Sequence, residues 1–275
     1  LEVDRDGLVS PEALEAAIRP DTILVSIMFA NNEIGTVEPI AALGAVAKRH
    51  GVPFHTDAVQ AFGQLPINVD EMNIDMLSAS GHKINGPKGI GFLYIRSGLK
   101  LQAFVHGGAQ ERNRRAGTEN VPAIVGLEAA VKRAVRTLDE KTARKLFLRD
   151  YLIRRIEEEI PYCSLNGHKT SRLPGNVNFS FRFIEGESVL IMLDMKGICA
   201  SSGSACTSGS VDPSHVLLAI GRNQEEAHGS LRLTLSEENT QEELDFVVEQ
   251  LKQIVQKLRD MSQLYEAFTR KNGDK

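Results

Sequence analysis

The 275 residues are enough for one large domain or two smaller ones, with the apolar (42%) and charged (25%) fractions of an ordinary globular chain. A formal charge of −4 argues against a surface that grips nucleic acid by bulk charge, although Arg112, Arg114 and Arg115 form a local basic cluster. Cys163, Cys199 and Cys206 are too few and too scattered for a disulfide framework, contain no CxxC pair for a structural zinc, and accompany no apolar run of the roughly 20 residues that spans a bilayer.

In chain order, Ser10-Pro11-Glu12 reads as a helix start, with Ser as N-cap and Pro in the first turn, and Pro20 stops the helix after about Arg19. Thr22–Phe29 (TILVSIMF) has the branched apolar character of a strand buried on both faces, ended by Ala30-Asn31-Asn32-Glu33. Pro39–His50 is a helix closed by Gly51, and Val52–Ala58 and Ile74–Ala79 are further strands. Strands alternating with helices imply a parallel sheet with crossover connections. The link into Gly86–Arg96 (GPKGIGFLYIR) is too short for a crossover helix, so this strand is expected to be antiparallel.

Glu119–Ile160 reads as two or three helices, and the main domain boundary is expected there. A strand Asn176–Phe181, a helix Ser188–Lys196, a Ser/Gly-rich loop Ser201–Ser210 and a strand Ser230–Leu235 follow. Thr240 and Glu243 form a capping box. The helix it opens carries Leu244, Val247, Val248, Leu251, Ile254, Val255 and Leu258 as a core-facing stripe. From about Glu266 the chain is polar and is expected to fray. The implied division is 1–125, 126–265 and a polar tail 266–275.

Asp57 stands at the carboxyl end of one predicted strand, where ligands of parallel sheets bind. Alone it is better explained as a helix N-cap. The next strand ends in Ser80-Gly81-His82-Lys83. Gly81 permits a tight turn, Ser80 and His82 can bind an anion, and a lysine in a partly desolvated cleft can attack a carbonyl. An acid and a lysine at adjacent strand ends are what pyridoxal 5'-phosphate (PLP) needs: an amine for its aldehyde and a carboxylate for its ring nitrogen. Gln60, expected one turn into a following helix, could reach the ring oxygen.

HTDAVQ, SGHKINGPKGIG, RRAGTEN, SSGSACTSG and SLRLTLS, in that order, resemble the cysteine desulfurases of the NifS/IscS group, within the class V aminotransferase superfamily. The resemblance spans nearly the whole chain. It implies an α/β PLP-transferase of fold-type I: a large domain with a mostly parallel sheet, incomplete in this chain, and a smaller α+β C-terminal domain. It implies that Lys83 bonds PLP, that Asp57 pairs the ring nitrogen, and that Gln60 and Asn32 lie by the ring oxygen and substrate. By the same resemblance Ser80 and His82 bind the phosphate, His82 also taking a catalytic role, and Thr118 reaches the phosphate of a neighbouring subunit in a homodimer. Arg232 is the expected clamp for the carboxylate of L-cysteine, since a planar guanidinium suits bidentate binding. Cys206, in its Ser/Gly setting, is the expected nucleophile that takes sulfur as a persulfide and leaves L-alanine. The long-loop group passes that sulfur to an acceptor protein, an iron–sulfur scaffold or a tRNA-thiolation enzyme. Cys199, in KGICA, is expected to be a buried packing cysteine, and Cys163 to lie in a turn after Pro161.

Leu1 rather than Met, followed by turn-like residues, suggests a start inside a longer protein. The family's N-terminal phosphate loop and the histidine that stacks on PLP have no counterpart here. With no signal peptide, metal motif or membrane span, the expectation is a cytoplasmic enzyme without direct nucleic-acid contact. Two further readings stand beside it: another class V aminotransferase or a selenocysteine lyase, in which Cys206 is incidental, and a truncated, non-catalytic dimerisation fragment.

Overall fold

A computed structural model describes residues 1–203 and 213–272. The chain divides into two compact units. One is formed by Pro11–Phe29 and Pro39–Leu138, the other by Leu1–Ser10, Ala30–Glu38 and Asp139–Lys275.

In the first unit, α1 (Pro11–Ala17) buries Leu14, and α2 (Ile40–Arg49) buries Ile40, Leu43, Val46 and Ala47. Gly51, at φ 66°, takes the left-handed conformation just past the end of α2 that residues with a Cβ resist. The strands are β1 (Val25–Met28), β2 (Phe54–Asp57), β3 (Met76–Ser80) and β4 (Gly91–Ile95), paired in that order. β1, β2 and β3 are parallel, with Met28 opposite Asp57 and Asp57 opposite Ser78. β4 returns antiparallel, with Ser80 opposite Gly91, as the short connection requires. Val25 and Ile27 of β1 are buried, but Ser26 and Met28 are exposed. The strand expected to be covered on both faces is an end strand of this sheet with one face covered within this chain.

After a short segment labelled α3 (Gln110–Asn113), interrupted by positive φ at Glu111 and Arg112, comes α4 (Val121–Arg136). Asn120 Oδ1 accepts from Ala123 N at 3.3 Å and Pro122 occupies the first turn, a start built from both usual devices. α4 lays Ala130 and Ala134 against Ile84 and Phe62, with Leu127 beside them.

The second unit contains α5 (Leu138–Glu159) from Asp139 onward, β5 (Cys163–Leu165), β6 (Asn176–Phe181), α6 (Gly186–Asp194), α7 (His215–Ala219), α8 (Gln224–His228), β7 (Ser230–Thr234), α9 (Gln241–Asp260) and α10 (Gln263–Asn272). β5, β6 and β7 form an antiparallel sheet with β6 central and buried throughout. Its period-two alternation separates two environments. Val177, Phe179 and Phe181 join the apolar core with Leu148, Leu152 and Ile156 of α5, Val189 and Leu193 of α6, and Leu244, Val248, Leu251 and Val255 of α9. Each such side chain stabilises the fold by about 1.5–3 kcal/mol relative to exposure. The alternate residues Asn176, Asn178 and Ser180 make polar contacts instead: Asn166 Nδ2 donates to Asn178 Oδ1 at 2.8 Å and to Ser180 Oγ at 2.9 Å.

The capping box at α9 is present, with Thr240 Oγ1 accepting from Glu243 N at 3.2 Å and Glu243 Oε2 accepting from Thr240 N at 3.1 Å. The expected frayed tail is instead α10. Tyr265 and Phe268 of this helix join Tyr162 and Phe183 in an aromatic cluster, and the Arg182 guanidinium lies 4.6 Å from the Phe183 ring centroid. Rings so arranged gain about 0.5–1.5 kcal/mol beyond their buried area, enough to hold a short helix of polar composition.

Candidate active site

In the first unit the strand register fixes one edge. Asp57 is the last residue of β2, and the parallel neighbour β3 ends at Ser80. The carboxyl ends of two adjacent parallel strands therefore deliver Asp57 and the Ser80–Lys83 segment to the same side of the sheet. Asp57 is exposed, and its Oδ1 accepts from Val59 N at 2.9 Å, the turn-forming role that its type performs after a strand. No regular helix follows. Ala61 N and Phe62 N both donate to Ala58 O, so Gln60 is half-buried in a turn rather than on the expected helix.

Beyond Ser80 the chain tightens into a 3₁₀ turn, Gly81–Ile84, closed by Asn85 in the left-handed region at φ 61°. Gly81 is needed there: a Cβ would meet Ile90 O and Cγ2 at 3.1 Å and Leu127 Cδ1 at 3.2 Å. The turn leaves His82 and Lys83 exposed, with Ser80 Oγ and His82 Nδ1 2.7 Å apart. Thr118 is exposed after Gly117, which sits at φ 110°. Behind this edge His55 bridges three strands, its Nδ1 2.8 Å from Ser26 Oγ and its Nε2 2.8 Å from Ser78 Oγ. Burial lowers its pKa, with a smaller opposing influence from the Asp57 charge, and so favours neutral imidazole.

In the second unit Arg232 lies in β7 opposite Asn178. Its Nη1 donates to Asn32 O at 2.9 Å, joining two residues expected at the substrate. Ser201, where the Ser/Gly-rich segment begins, pairs with Arg232 through Ser201 N to Arg232 O at 3.1 Å and Arg232 N to Ser201 O at 2.6 Å. Cys206 lies outside the described residues. Cys199 is exposed rather than buried: its neighbours Ile198 and Ala200 pack against the core, and Cys199 between them does not. Cys163 opens β5, half-buried, with its thiol donating to Ile160 O at 3.0 Å. Burial pushes that thiol up to about 11, away from thiolate character.

Glu33, next to Asn32 in the chain, is a buried acid that the sequence reading passed over. It is 1% exposed, and its backbone is held on both sides: Asn31 Oδ1 accepts from Glu33 N at 2.8 Å, and Asn176 Nδ2 and Asn178 Nδ2 donate to Glu33 O at 3.1 and 3.0 Å. Burial raises the carboxyl pKa above its usual range, opposed by a hydrogen bond with Ser214 and by the charges of Arg232 and His215. The polar face of β6 was the available signal: Asn176 and Asn178 alternate with Val177 and Phe179 and need buried partners.

The class-V aminotransferase family matches residues 1–247. The chain belongs to this family. A cysteine desulfurase IscS from Methanosarcina thermophila is 58% identical over 264 residues, 96% of this chain and 65% of that protein. The chain thus spans just under two thirds of the length of this curated relative. Among solved structures, a NifS-like protein superposes with a TM-score of 0.84 at 35% identity, covering 93% of this chain and 67% of its own. A structure titled as SspA in complex with cysteine gives a TM-score of 0.72 at 40% identity, over 87% and 66% of the two chains. The mixed α/β fold with its mostly parallel sheet is that of fold-type I class-V aminotransferases, whose cofactor is PLP. No described helix is long and apolar enough to cross a membrane.

Proposed function

We propose that this chain forms the greater part of a PLP-dependent L-cysteine desulfurase. The observation that carries the reading is the delivery of Asp57 and the Ser80–Lys83 turn to one strand edge, in a chain 58% identical to a cysteine desulfurase. The donor set fits PLP: a carboxylate, an amine and a hydroxyl–imidazole pair share that edge, and Gly81 keeps the turn close to the sheet. Lys83 would hold the cofactor through its amine, Asp57 its ring nitrogen, Gln60 and Asn32 its ring oxygen, and Ser80, His82 and Thr118 its phosphate. When bound, PLP supplies an electron sink for negative charge at the substrate α-carbon.

The protein's own groups do the rest. Arg232 binds the carboxylate of L-cysteine through its guanidinium fork, and Asn32 lies beside the bound amino acid. His82, with Nδ1 engaged by Ser80, offers Nε2 for proton transfer. The Cys206 thiolate attacks the substrate sulfur. An S–S bond forms as the substrate Cβ–S bond breaks, the carbon keeps the electron pair and takes a proton, and the products are L-alanine and a Cys206 persulfide. The reading extends to a cytoplasmic homodimer that passes this sulfur to an iron–sulfur scaffold or to a tRNA-thiolation enzyme.

The test pairs absorbance with product. The PLP-treated protein should show a visible band that Lys83→Ala abolishes. Cys206→Ser should keep the band and lose alanine formation from L-cysteine. Normal turnover in Cys206→Ser, or no band in the parent protein, would overturn the reading.

A further inference from the structure

The desulfurase reading uses Arg232, Asn32 and Cys206 and leaves the buried acid beside Asn32, Glu33, without a task. That burial is costly for a carboxyl unless something nearby compensates it. Four observations show how Glu33 is held and what surrounds its carboxyl.

The backbone is immobilised first. Asn31 caps the amides of Glu33 and Ile34 at 2.8 and 3.0 Å, and Asn176 and Asn178 hold the Glu33 carbonyl. Second, Ser214 acts on the carboxyl as a hydrogen-bonding neighbour that lowers its pKa, and Ser214 Oγ accepts from Val216 N and Leu217 N at 3.2 and 3.4 Å and so caps α7. Third, Glu33 Oε1 is buried with no hydrogen-bond partner among the described residues, and a Cβ placed on Gly203 would lie 3.3 Å from it. Fourth, Arg232 and His215 both act on the carboxyl electrostatically, and Arg232 bonds the carbonyl of Asn32, the residue before Glu33. Gly203 and Ser214 stand on either side of the segment that carries Cys206. One buried carboxyl thus feels the charge of the proposed substrate arginine and lies near residues that flank the nucleophile's segment on both sides.

We propose that Glu33 is a positioning residue: its carboxyl fixes Ser214 and steers the Arg232 guanidinium, so that the substrate carboxylate clamp and the flanks of the Cys206 segment keep one arrangement. This rests on the desulfurase reading for its effect on substrate. Glu33 touches no reacting atom in this scheme and acts through Arg232 and Ser214.

The experiment compares Glu33→Ala and Glu33→Gln with the parent PLP-loaded protein. One probe is 3-mercaptopropionate, which has the carboxylate and thiol of cysteine and no amine, titrated by calorimetry. Losing a hydrogen bond or charge contact to an ionised group is worth a factor of about ten or more, so its Kd should rise at least that much in Glu33→Ala. KM for L-cysteine should rise in the same proportion, with little change in kcat. Hydrogen exchange at the Val216 and Leu217 amides should speed up in Glu33→Ala. Glu33→Gln keeps the shape and the bond to Ser214, so it should restore slow exchange while leaving Kd raised. Parent-like Kd in both variants, or unchanged exchange in Glu33→Ala, would overturn the proposal. A parent protein that forms no alanine would instead sink the desulfurase reading, and the exchange measurement would still decide the Glu33–Ser214 contact. Should Glu33→Ala fail to fold, the Kd of Glu33→Gln decides the effect on Arg232.

Discussion

Arg232 Nη1 donates to the carbonyl oxygen of Asn32 at 2.9 Å across 200 residues of chain. The bond aims the guanidinium from a strand whose own backbone pairs with Ser201 on one side and Asn178 on the other. An arginine held this way can grip a carboxylate with little reorganisation. Arg232→Lys keeps the charge and loses the fork. We expect KM for L-cysteine to rise about tenfold or more, with a smaller change in kcat, in steady-state assays of alanine release.

Arg172 is 3% exposed and donates to Ile34 O at 2.7 Å, Asn166 O at 2.9 Å, His168 O at 3.0 Å, Asn176 O at 3.2 Å and Asn176 Oδ1 at 3.3 Å. Burial, with the nearby Arg149 charge, lowers its pKa to about 10. Arg172→Met leaves these acceptors buried and unpaired. Urea denaturation should show a loss on the order of 3–5 kcal/mol. Arg172→Lys should recover only part of it, since one ammonium with three donors cannot span the same acceptors.

Glu38 gives a pH prediction. It is buried, its Oε2 accepts from Val9 N at 2.9 Å, and burial raises its pKa to about 7, with a further upward push from Asp4. The folded state therefore holds a proton that the unfolded chain gives up near pH 4.5. Its contribution is fully present below the unfolded value and is lost as pH rises through the folded one. Glu38→Gln mimics the protonated form. It should match the parent near pH 4 and exceed it at pH 8 by up to about 3 kcal/mol, read from denaturation midpoints across pH.

Some of this was legible in the sequence because local chemistry decided it. The Asp57 and Lys83 strand ends followed from apolar runs and turn residues, and β6 occupies the expected Asn176–Phe181. Other features depend on partners far along the chain. The Glu33 carbonyl takes its donors from Asn176 and Asn178, 143 and 145 residues away; the polar face of β6 signals that buried partners are needed, and no local pattern says which. α10 has a polar composition, and its order comes from Tyr162 and Phe183. Cys199 lies within an apolar run, yet only its neighbours Ile198 and Ala200 pack against the core. Gln60, three residues after Asp57, is expected one turn into a helix, whereas Ala58–Phe62 closes as turns.

The Thr240–Glu243 capping box offers a local test of the C-terminal core. Thr240→Ala removes the acceptor for Glu243 N at the start of α9. The change should cost about 1 kcal/mol, visible as a lower melting temperature with the far-UV signal of the native state retained.

The short stretch Ala30–Glu38 belongs with Asp139–Lys275 and not with the strands that precede and follow it. On a ribosome it would emerge and then wait: its carbonyls at Glu33 and Ile34 obtain their donors only when Arg172, Asn176 and Asn178 have been synthesised. At about 5–20 residues per second, that interval is several seconds or more. Newly made chains of this protein therefore pass through a period in which a polar stretch destined for the interior is still wet, a natural moment for chaperone attention.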